Sequence, residues 1–195
     1  APFIDGGIVP DPGGFISYAQ WPVNRYSQID LSTGLLVNDV DLVPFGVAPA
    51  SSTLQFIPAG YPGAGRMPLA SWANGEYYDI SYTVGAGGII TINSATQIPG
   101  ATLPGGPEGI AYVPFGSPAF LDPAMIVAEF SAGNVATYEM DANGDPIIAS
   151  RRDFITGLTG AEGAWIDVFS GEFLFSTFGK AQDRVILVRG FAVPG

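Results

Sequence analysis

The fold is predicted by one stretch of the sequence, Leu69-Ala70-Ser71-Trp72-Ala73-Asn74-Gly75-Glu76-Tyr77-Tyr78-Asp79-Ile80-Ser81. It contains two short β-prone runs joined by a polar turn that holds Asn74 and Gly75. An Asn-Gly pair tolerates the positive φ angles that tight hairpin turns need. A β-hairpin is therefore predicted here, with an aromatic residue, Trp72, near the end of its first strand.

The same hairpin pattern occurs three more times along the chain. In each copy an aromatic residue at a strand end is followed by a polar turn and then by an apolar strand. These four residues, called the marker aromatics below, are Trp21, Trp72, Phe130 and Phe178. They recur at intervals of about 50 residues, and a repeat of this length is typical of units that bury their apolar faces only against one another.

Further strands accompany each hairpin. Apolar runs follow the hairpins at residues 35–43, 89–98 and 147–155, and others precede them at 54–57, 110–113 and 164–168. Four strands per repeat are typical of a propeller blade. The sequence thus predicts an all-β, single-domain β-propeller over residues 1–195. Its four blades of three to four antiparallel strands, with one terminal blade incomplete, are expected at about residues 1–46, 51–100, 106–157 and 160–195.

The composition excludes several kinds of chemistry. The 195 residues include no Cys and no His, which excludes disulfides, thiolate sites and imidazole bases. A net charge of −11 argues against nucleic acid as a partner, and no apolar run is long enough to span a membrane. Only 13% of the residues are charged, which favours association with other copies of the chain.

The N-terminal segment has two possible places. Residues 3–9 are suited either to the inner strand of blade 1 or to the outer strand of blade 4, and they are too short to serve as both. One blade is left with an unpaired edge, which another subunit's strand could cover in a head-to-tail filament. A three-stranded blade in a monomer is the alternative. The expected subunit contacts are Phe3, Ile4, Ile8, Val9, Val185 and Leu187.

A pair of glutamates is the candidate metal site. Glu108-Gly109 and Glu162-Gly163 stand at equivalent positions before two inner strands, so their carboxylates are expected to meet near the central channel. Paired carboxylates bind Ca²⁺ or share a proton, and the alternative is that each accepts hydrogen bonds from its own turn. The acidic turn 141–145 resembles a calcium loop, but Arg152 stands at the twelfth position, which favours a plain β-turn.

Two other groups of residues have a structural and a functional interpretation. The marker aromatics are expected to pack between blades, with a stacking platform for sugars as the alternative. The only basic pair in the chain is Arg151-Arg152. It is expected to lie on a solvated strand edge.

The second half of the chain resembles known propeller proteins. Pro107-Glu108-Gly109-Ile110-Ala111 is similar to the blade start of NHL-type and gluconolactonase-like propellers. Glu129-Phe130-Ser131-Ala132-Gly133-Asn134-Val135 and the Glu162-Gly163 segment resemble secreted bacterial propeller proteins that carry a PEP-CTERM sorting signal. The resemblance implies export to the cell surface. It also implies that Glu108 or Glu162 is a metal ligand, although the Asn and Asp partners of such a site are not identifiable.

Together these patterns predict a non-enzymatic, exported structural protein of the cell surface or extracellular matrix. It is expected to self-assemble into fibres by exchange of terminal strands. The start at Ala1-Pro2, without an initiator Met, fits a cleaved precursor or a trimmed chain. The alternatives are a calcium-dependent propeller that binds a small ligand or hydrolyses a lactone, and a monomeric protein-interaction module.

Overall fold

A computed structural model describes residues 3–167, 169–179 and 183–193, apart from the side chains of Phe3, Asp5 and Gly6. Regular structure in this part of the chain is almost entirely β, as predicted. The helical segments described are three short 3-10 helices, at Val43–Phe45, Ala86–Gly88 and Ile148–Ser150. None of the described helices has the length and apolar character needed to cross a membrane.

The strands form four antiparallel sheets, each built from consecutive strands, which confirms the four-bladed propeller. Blade 1 contains β1 (Phe3–Pro10), β2 (Ile16–Trp21), β3 (Arg25–Asp30) and β4 (Leu35–Asp41). Blade 2 contains β5 (Ser51–Leu54), β6 (Met67–Ser71), β7 (Glu76–Val84) and β8 (Ile90–Thr102). Blade 3 contains β9 (Pro107–Val113), β10 (Ala124–Glu129), β11 (Asn134–Glu139) and β12 (Arg152–Ile155). Blade 4 contains β13 (Ala161–Ile166), β14 (Phe173–Thr177) and β15 (Arg184–Val188).

The predicted hairpin around Asn74-Gly75 is present between β6 and β7, and close packing explains its glycine. Gly75 has a φ of 75°. A Cβ atom there would lie 1.9 Å from the carbonyl oxygen of Leu103, in the segment that follows the outer strand of the same blade. Blade 3 repeats the arrangement, because a Cβ on Gly133 would lie 2.2 Å from the carbonyl oxygen of Leu158. Only glycine fits these two turns.

The inner strands begin earlier than the apolar pattern predicts. In blade 2 the inner strand is Ser51–Leu54, not 54–57. Ser51, Ser52 and Thr53 are polar, so the apolar pattern misses them, yet all three are fully buried. In blades 3 and 4 the inner strands each start three residues before the predicted position. The last residue predicted for the blade 4 strand, Val168, lies outside the described residues, as do Pro194 and Gly195 at the end of the predicted blade.

The outer strand of blade 3 is also shorter than predicted. The run 147–155 forms the 3-10 helix Ile148–Ser150 and only then the four-residue strand β12. Ser150 accounts for part of this change, because its hydroxyl donates to the carbonyl oxygen of Ile147 at 2.6 Å and holds the turn closed.

The described residues form three apolar cores between adjacent blades. The core between blades 1 and 2 includes Tyr26, Leu54 and Met67, and the core between blades 2 and 3 includes Tyr77, Leu103 and Met125. Phe173 and Phe175 of blade 4 pack against blade 3. Among the described residues no equivalent core joins blade 4 to blade 1. A cleft of about 320 Å³ separates them instead, and its walls include Ile4, Ile8, Trp165, Leu174 and Val185. This feature is called the interblade cleft below.

The N-terminal segment is the inner strand of blade 1. β1 pairs with β2 from Phe3 opposite Trp21 to Pro10 opposite Ile16. Gly7 makes this position possible, because a Cβ there would lie 2.3 Å from the backbone nitrogen of Leu54 in blade 2. Within the described residues blade 4 therefore has three strands, and the outer edge of β15 has no strand paired with it there.

Of the expected subunit contacts, four are exposed in the fold and one is buried. Ile4, Ile8, Val185 and Leu187 are exposed by 50%, 54%, 74% and 43%. Val9 is instead buried in the core between blades 1 and 2, because it lies on the face of β1 opposite to Ile4 and Ile8. The side chain of Phe3 lies outside the described residues.

Candidate ligand site at the channel mouth

A repeated backbone contact fixes the marker aromatics in blades 2, 3 and 4. In each of these blades the backbone N–H of the marker aromatic donates a 2.8 Å hydrogen bond to a backbone carbonyl oxygen. The accepting residue has a positive φ and directly precedes the inner strand. The pairs are Trp72 to Ala50, Phe130 to Gly106 and Phe178 to Gly160. The marker aromatics therefore stand at equivalent positions in these three blades, at the same end of the propeller.

Glycines at the blade starts leave room for the rings. A Cβ on Gly106 would lie 2.9 Å from Nε1 of Trp72, and a Cβ on Gly160 would lie 2.8 Å from Cε2 of Phe130. Each ring thus lies over the start of the next blade, which is the interblade packing that the sequence predicts. The rings of Trp72 and Phe130 also meet edge to face, with centroids 6.4 Å apart.

The four marker aromatics line one cavity together with both candidate glutamates. This cavity, called the channel mouth below, has a volume of about 280 Å³ and is lined by Trp21, Trp72, Glu108, Phe130, Glu162 and Phe178. Trp21 and Phe178 remain 39% and 62% exposed, whereas Glu108 is buried. The channel mouth is therefore open to solvent on the side of blades 1 and 4. The sequence does not predict that packing residues and a candidate acidic pair share a cavity.

The two glutamates reach the channel mouth from neighbouring inner strands, β9 and β13. Gly109 lets these strands touch, because a Cβ there would lie 2.3 Å from the backbone nitrogen of Ala164. Glu108 and Glu162 therefore both line the channel mouth. Both residues have interaction partners within the fold.

The channel mouth is a poor fit for calcium. Ca²⁺ takes 6–8 oxygen ligands. The channel mouth supplies two carboxylates surrounded by aromatic rings, and the described residues contain no group of three or more acidic residues placed to bind a metal. Calcium binding by Glu108 and Glu162 remains a prediction.

A buried ion pair supports the channel mouth beside Phe130. Glu129 accepts two hydrogen bonds from Arg151, at 2.8 Å from Nε and 2.5 Å from Nη2, and one from the hydroxyl of Tyr138 at 2.7 Å. The Glu129 side chain is only 1% exposed. These contacts raise the pKa of the Arg151 guanidinium, and burial raises the pKa of Tyr138.

The prediction for Arg151 is therefore wrong, whereas Arg152 lies on the exposed edge as expected. Arg152 is 68% exposed and only approaches Glu139, at 3.8 Å. One sequence signal pointed to the buried partner. Glu129 is the last residue of β10, and the five residues before it are all small or apolar. A carboxylate buried in such a strand needs a cation as its partner.

The acidic segment 141–145 forms the predicted β-turn. Asp141 accepts hydrogen bonds from the backbone N–H groups of Asn143 and Asp145 at 2.8 and 3.0 Å, which lowers its pKa. Asp145 is bound by Arg66 at 2.9 Å, and Arg66 also pairs with Asp79 of blade 2 at 3.0 Å. The turn thus joins two blades through an arginine, and desolvation raises the pKa of Asp145.

Comparison with solved structures identifies similar folds. A Bacteroides fragilis protein assigned as a 6-phosphogluconolactonase is 15% identical, with a TM-score of 0.52 over 90% of this chain and 48% of its own. The PQQ domain of pyranose dehydrogenase from Coprinopsis cinerea is 13% identical, with a TM-score of 0.50 over 94% of this chain and 47% of its own. Regucalcin from Agrobacterium tumefaciens, a calcium-binding protein, is 17% identical, with a TM-score of 0.49 over 95% and 71%.

No protein-family model and no curated protein sequence matches the chain. The chain spans about half the length of the first two structures. At these identities the comparisons confirm the resemblance to propeller proteins at the level of the fold. The activities of those proteins do not transfer with the fold.

Proposed function

We propose that this chain is a β-propeller binding module that holds a small ligand at the channel mouth. The observation that supports the proposal is the convergence of one aromatic residue from each blade, with two glutamates, on a single open cavity of about 280 Å³. Small-molecule sites are concave and largely apolar, with a few charged or polar groups that orient the ligand. The channel mouth has this composition.

The geometry favours binding over hydrolysis. The lining offers aromatic surface and two carboxylates that already have partners in the fold. A calcium-assisted lactonase reaction would need more oxygen ligands than this lining supplies. The site therefore supports a calcium-dependent, lactonase-like function less well than it supports ligand binding.

The test is ligand-observed NMR with a panel of fragment-sized neutral, cationic and anionic compounds. Wild-type protein should bind at least one of them, Trp72→Ala should lose that binding, and Trp165→Ala should keep it. Trp165 is the control, because it is the tryptophan that lines the interblade cleft, where it is 43% exposed. Equal binding by wild type and Trp72→Ala, or loss of binding in Trp165→Ala alone, would contradict the proposal.

Self-association is a second candidate function, supported by the free face of blade 4. Trp165, Val185 and Leu187 are exposed there by 43%, 74% and 43%, and the outer strand has a free edge within the described residues. Exposed apolar patches and free edges favour interaction with another chain. This proposal extends to the assembly of an exported protein into fibres at the cell surface.

Analytical ultracentrifugation and electron microscopy test this second candidate. The wild type should form dimers or filaments at micromolar concentrations, and Val185→Lys should disperse them. Val84→Lys is the matched control, because Val84 is exposed by 44% at the end of a blade 2 strand. A wild type that stays monomeric at every concentration would exclude self-association.

A further inference from the structure

We infer that the ligand of the channel mouth is an organic cation of the quaternary or methylated ammonium class. This inference rests on the proposed function and deepens it. The channel mouth combines four aromatic rings with two carboxylates. Aromatic rings attract cations through the negative potential of their faces, and tryptophan does so most strongly.

The position of the rings around the cavity supports this ligand class. The rings come from four different blades, so they border the cavity from several directions. Cation–π attraction acts when the charge lies within about 6 Å of a ring centroid. The Trp72 and Phe130 centroids are 6.4 Å apart and the ring planes are inclined by 69°, so their faces point in different directions.

The hydrogen-bonding capacity of the lining separates quaternary ammonium from other ligands. Four of the six lining residues are aromatic, and the other two are carboxylates, which accept hydrogen bonds but donate none when ionised. A quaternary ammonium group donates no hydrogen bonds, so it loses none when it enters such a cavity. A sugar carries more hydroxyl groups than two carboxylates can bind, and burying an unpaired polar group is unfavourable. An anion would meet two carboxylates.

The size of the cavity also agrees. A volume of about 280 Å³ lies just below the usual range of pockets for drug-sized ligands, which begins at about 300 Å³. A compact ammonium headgroup is suited to such a space, and the open side at Trp21 and Phe178 leaves room for a chain attached to it.

The experiment compares choline with its uncharged isostere 3,3-dimethylbutan-1-ol by isothermal titration calorimetry. The two probes have the same shape and differ in one charge. Choline should bind at least about tenfold more tightly, because only the charged probe gains cation–π attraction from the rings. Trp72→Leu keeps an apolar side chain but removes the ring, so it should weaken choline about tenfold and the isostere by less than threefold.

Two further variants complete the design. Glu162→Gln should weaken choline more at low salt than at high salt, because it removes charge at nearly constant shape. Trp165→Leu, in the interblade cleft, should leave both affinities unchanged. A loss of choline affinity in Trp165→Leu equal to that in Trp72→Leu would overturn the inference.

The outcomes separate this inference from the proposed function. Equal affinity for choline and the isostere would overturn the cationic class and leave a binding site at the channel mouth. The same holds if neither probe binds while another fragment of the panel binds in a Trp72-dependent way. Failure of every compound would overturn the inference and the proposed function together.

Discussion

The ion pair between Glu129 and Arg151 makes the most quantitative prediction about stability. Replacing Arg151 by Ala removes both charge-assisted hydrogen bonds to a carboxylate that is 1% exposed, and leaves the Tyr138 hydroxyl as its side-chain hydrogen-bond partner among the described residues. Breaking a buried pair by removing one partner typically lowers stability by about 3–5 kcal/mol. Because Arg151 is itself 26% exposed, we expect a loss near the lower end, about 3 kcal/mol.

The neighbouring arginine is the control. Arg152 is 68% exposed and 3.8 Å from its partner, and such surface pairs contribute about 0–1 kcal/mol. Arg152→Ala therefore makes the same chemical change, one residue away, in a solvated setting. The two variants should differ by about 2 kcal/mol or more in the free energy of unfolding.

The assay is equilibrium unfolding in urea, followed by tryptophan fluorescence. With a slope of about 2–3 kcal/mol per molar urea, Arg151→Ala should move the midpoint down by about 1–1.5 M, whereas Arg152→Ala should move it by less than about 0.5 M. The double variant Glu129→Leu, Arg151→Leu should recover most of the loss, because it leaves no unpaired buried charge. Equal midpoints for the two alanine variants would refute the reasoning. A double variant less stable than Arg151→Ala would contradict the attribution of the loss to an unpaired buried charge.

Three further predictions follow from the turns, the titratable groups and the glutamates. Gly75→Ala should destabilise the protein by about 1–3 kcal/mol more than Gly34→Ala, as measured by urea unfolding. Both glycines have a positive φ, but only a Cβ at position 75 would collide with backbone atoms, whereas a Cβ at position 34 would meet open space. The pKa of Asp39 is lowered by its hydrogen bond to Arg25, and the pKa values of three turn aspartates, Asp30, Asp141 and Asp167, are lowered too. Their contribution to stability should be complete above about pH 5 and should be lost as the pH falls below it, and these four groups outweigh Asp145, whose raised pKa acts in the opposite direction. The buried tyrosines have raised pKa values, so stability should also fall above about pH 10, and midpoints measured from pH 3 to 11 that stay level would contradict both signs. Millimolar calcium should leave the melting temperature within about 1 °C of that in chelator, and a larger rise that disappears when the two channel-mouth glutamates become glutamines would identify them as calcium ligands.

The blades were predictable because their decisive signals are local. The Asn74-Gly75 turn sets a hairpin through the backbone preferences of two adjacent residues, and its repetition sets the number of blades. The repeat also predicted equivalent positions for the marker aromatics, and the structure places three of them at matching backbone contacts.

The remaining features depend on contacts between distant residues. Residues 51–53 are small and polar, so they carry no apolar signal, yet they are buried where the inner strands converge. The place of β1 was open because two blades offered an edge of the right kind, and the fit of Gly7 against Leu54 in space is what distinguishes them. The interblade cleft could not be predicted either, because it lies where the described residues of blades 1 and 4 form no shared core.

The channel mouth was also predictable only in part. The sequence predicted that Glu108 and Glu162 converge, because both precede equivalent strands. It did not predict that the marker aromatics surround them, since packing between blades and lining of a cavity are satisfied by the same residue types. The glycines beside the rings were the available signal, because a glycine before an inner strand leaves space for a neighbouring ring.

The most direct test of the channel mouth as a ligand site is fluorine NMR of protein labelled with 5-fluorotryptophan. The chain has three tryptophans, of which Trp21 and Trp72 line the channel mouth and Trp165 lines the interblade cleft. Titration with the tightest-binding compound of the panel should move the Trp21 and Trp72 resonances and leave that of Trp165 in place. A shift of Trp165 alone would contradict the account and place the ligand in the interblade cleft.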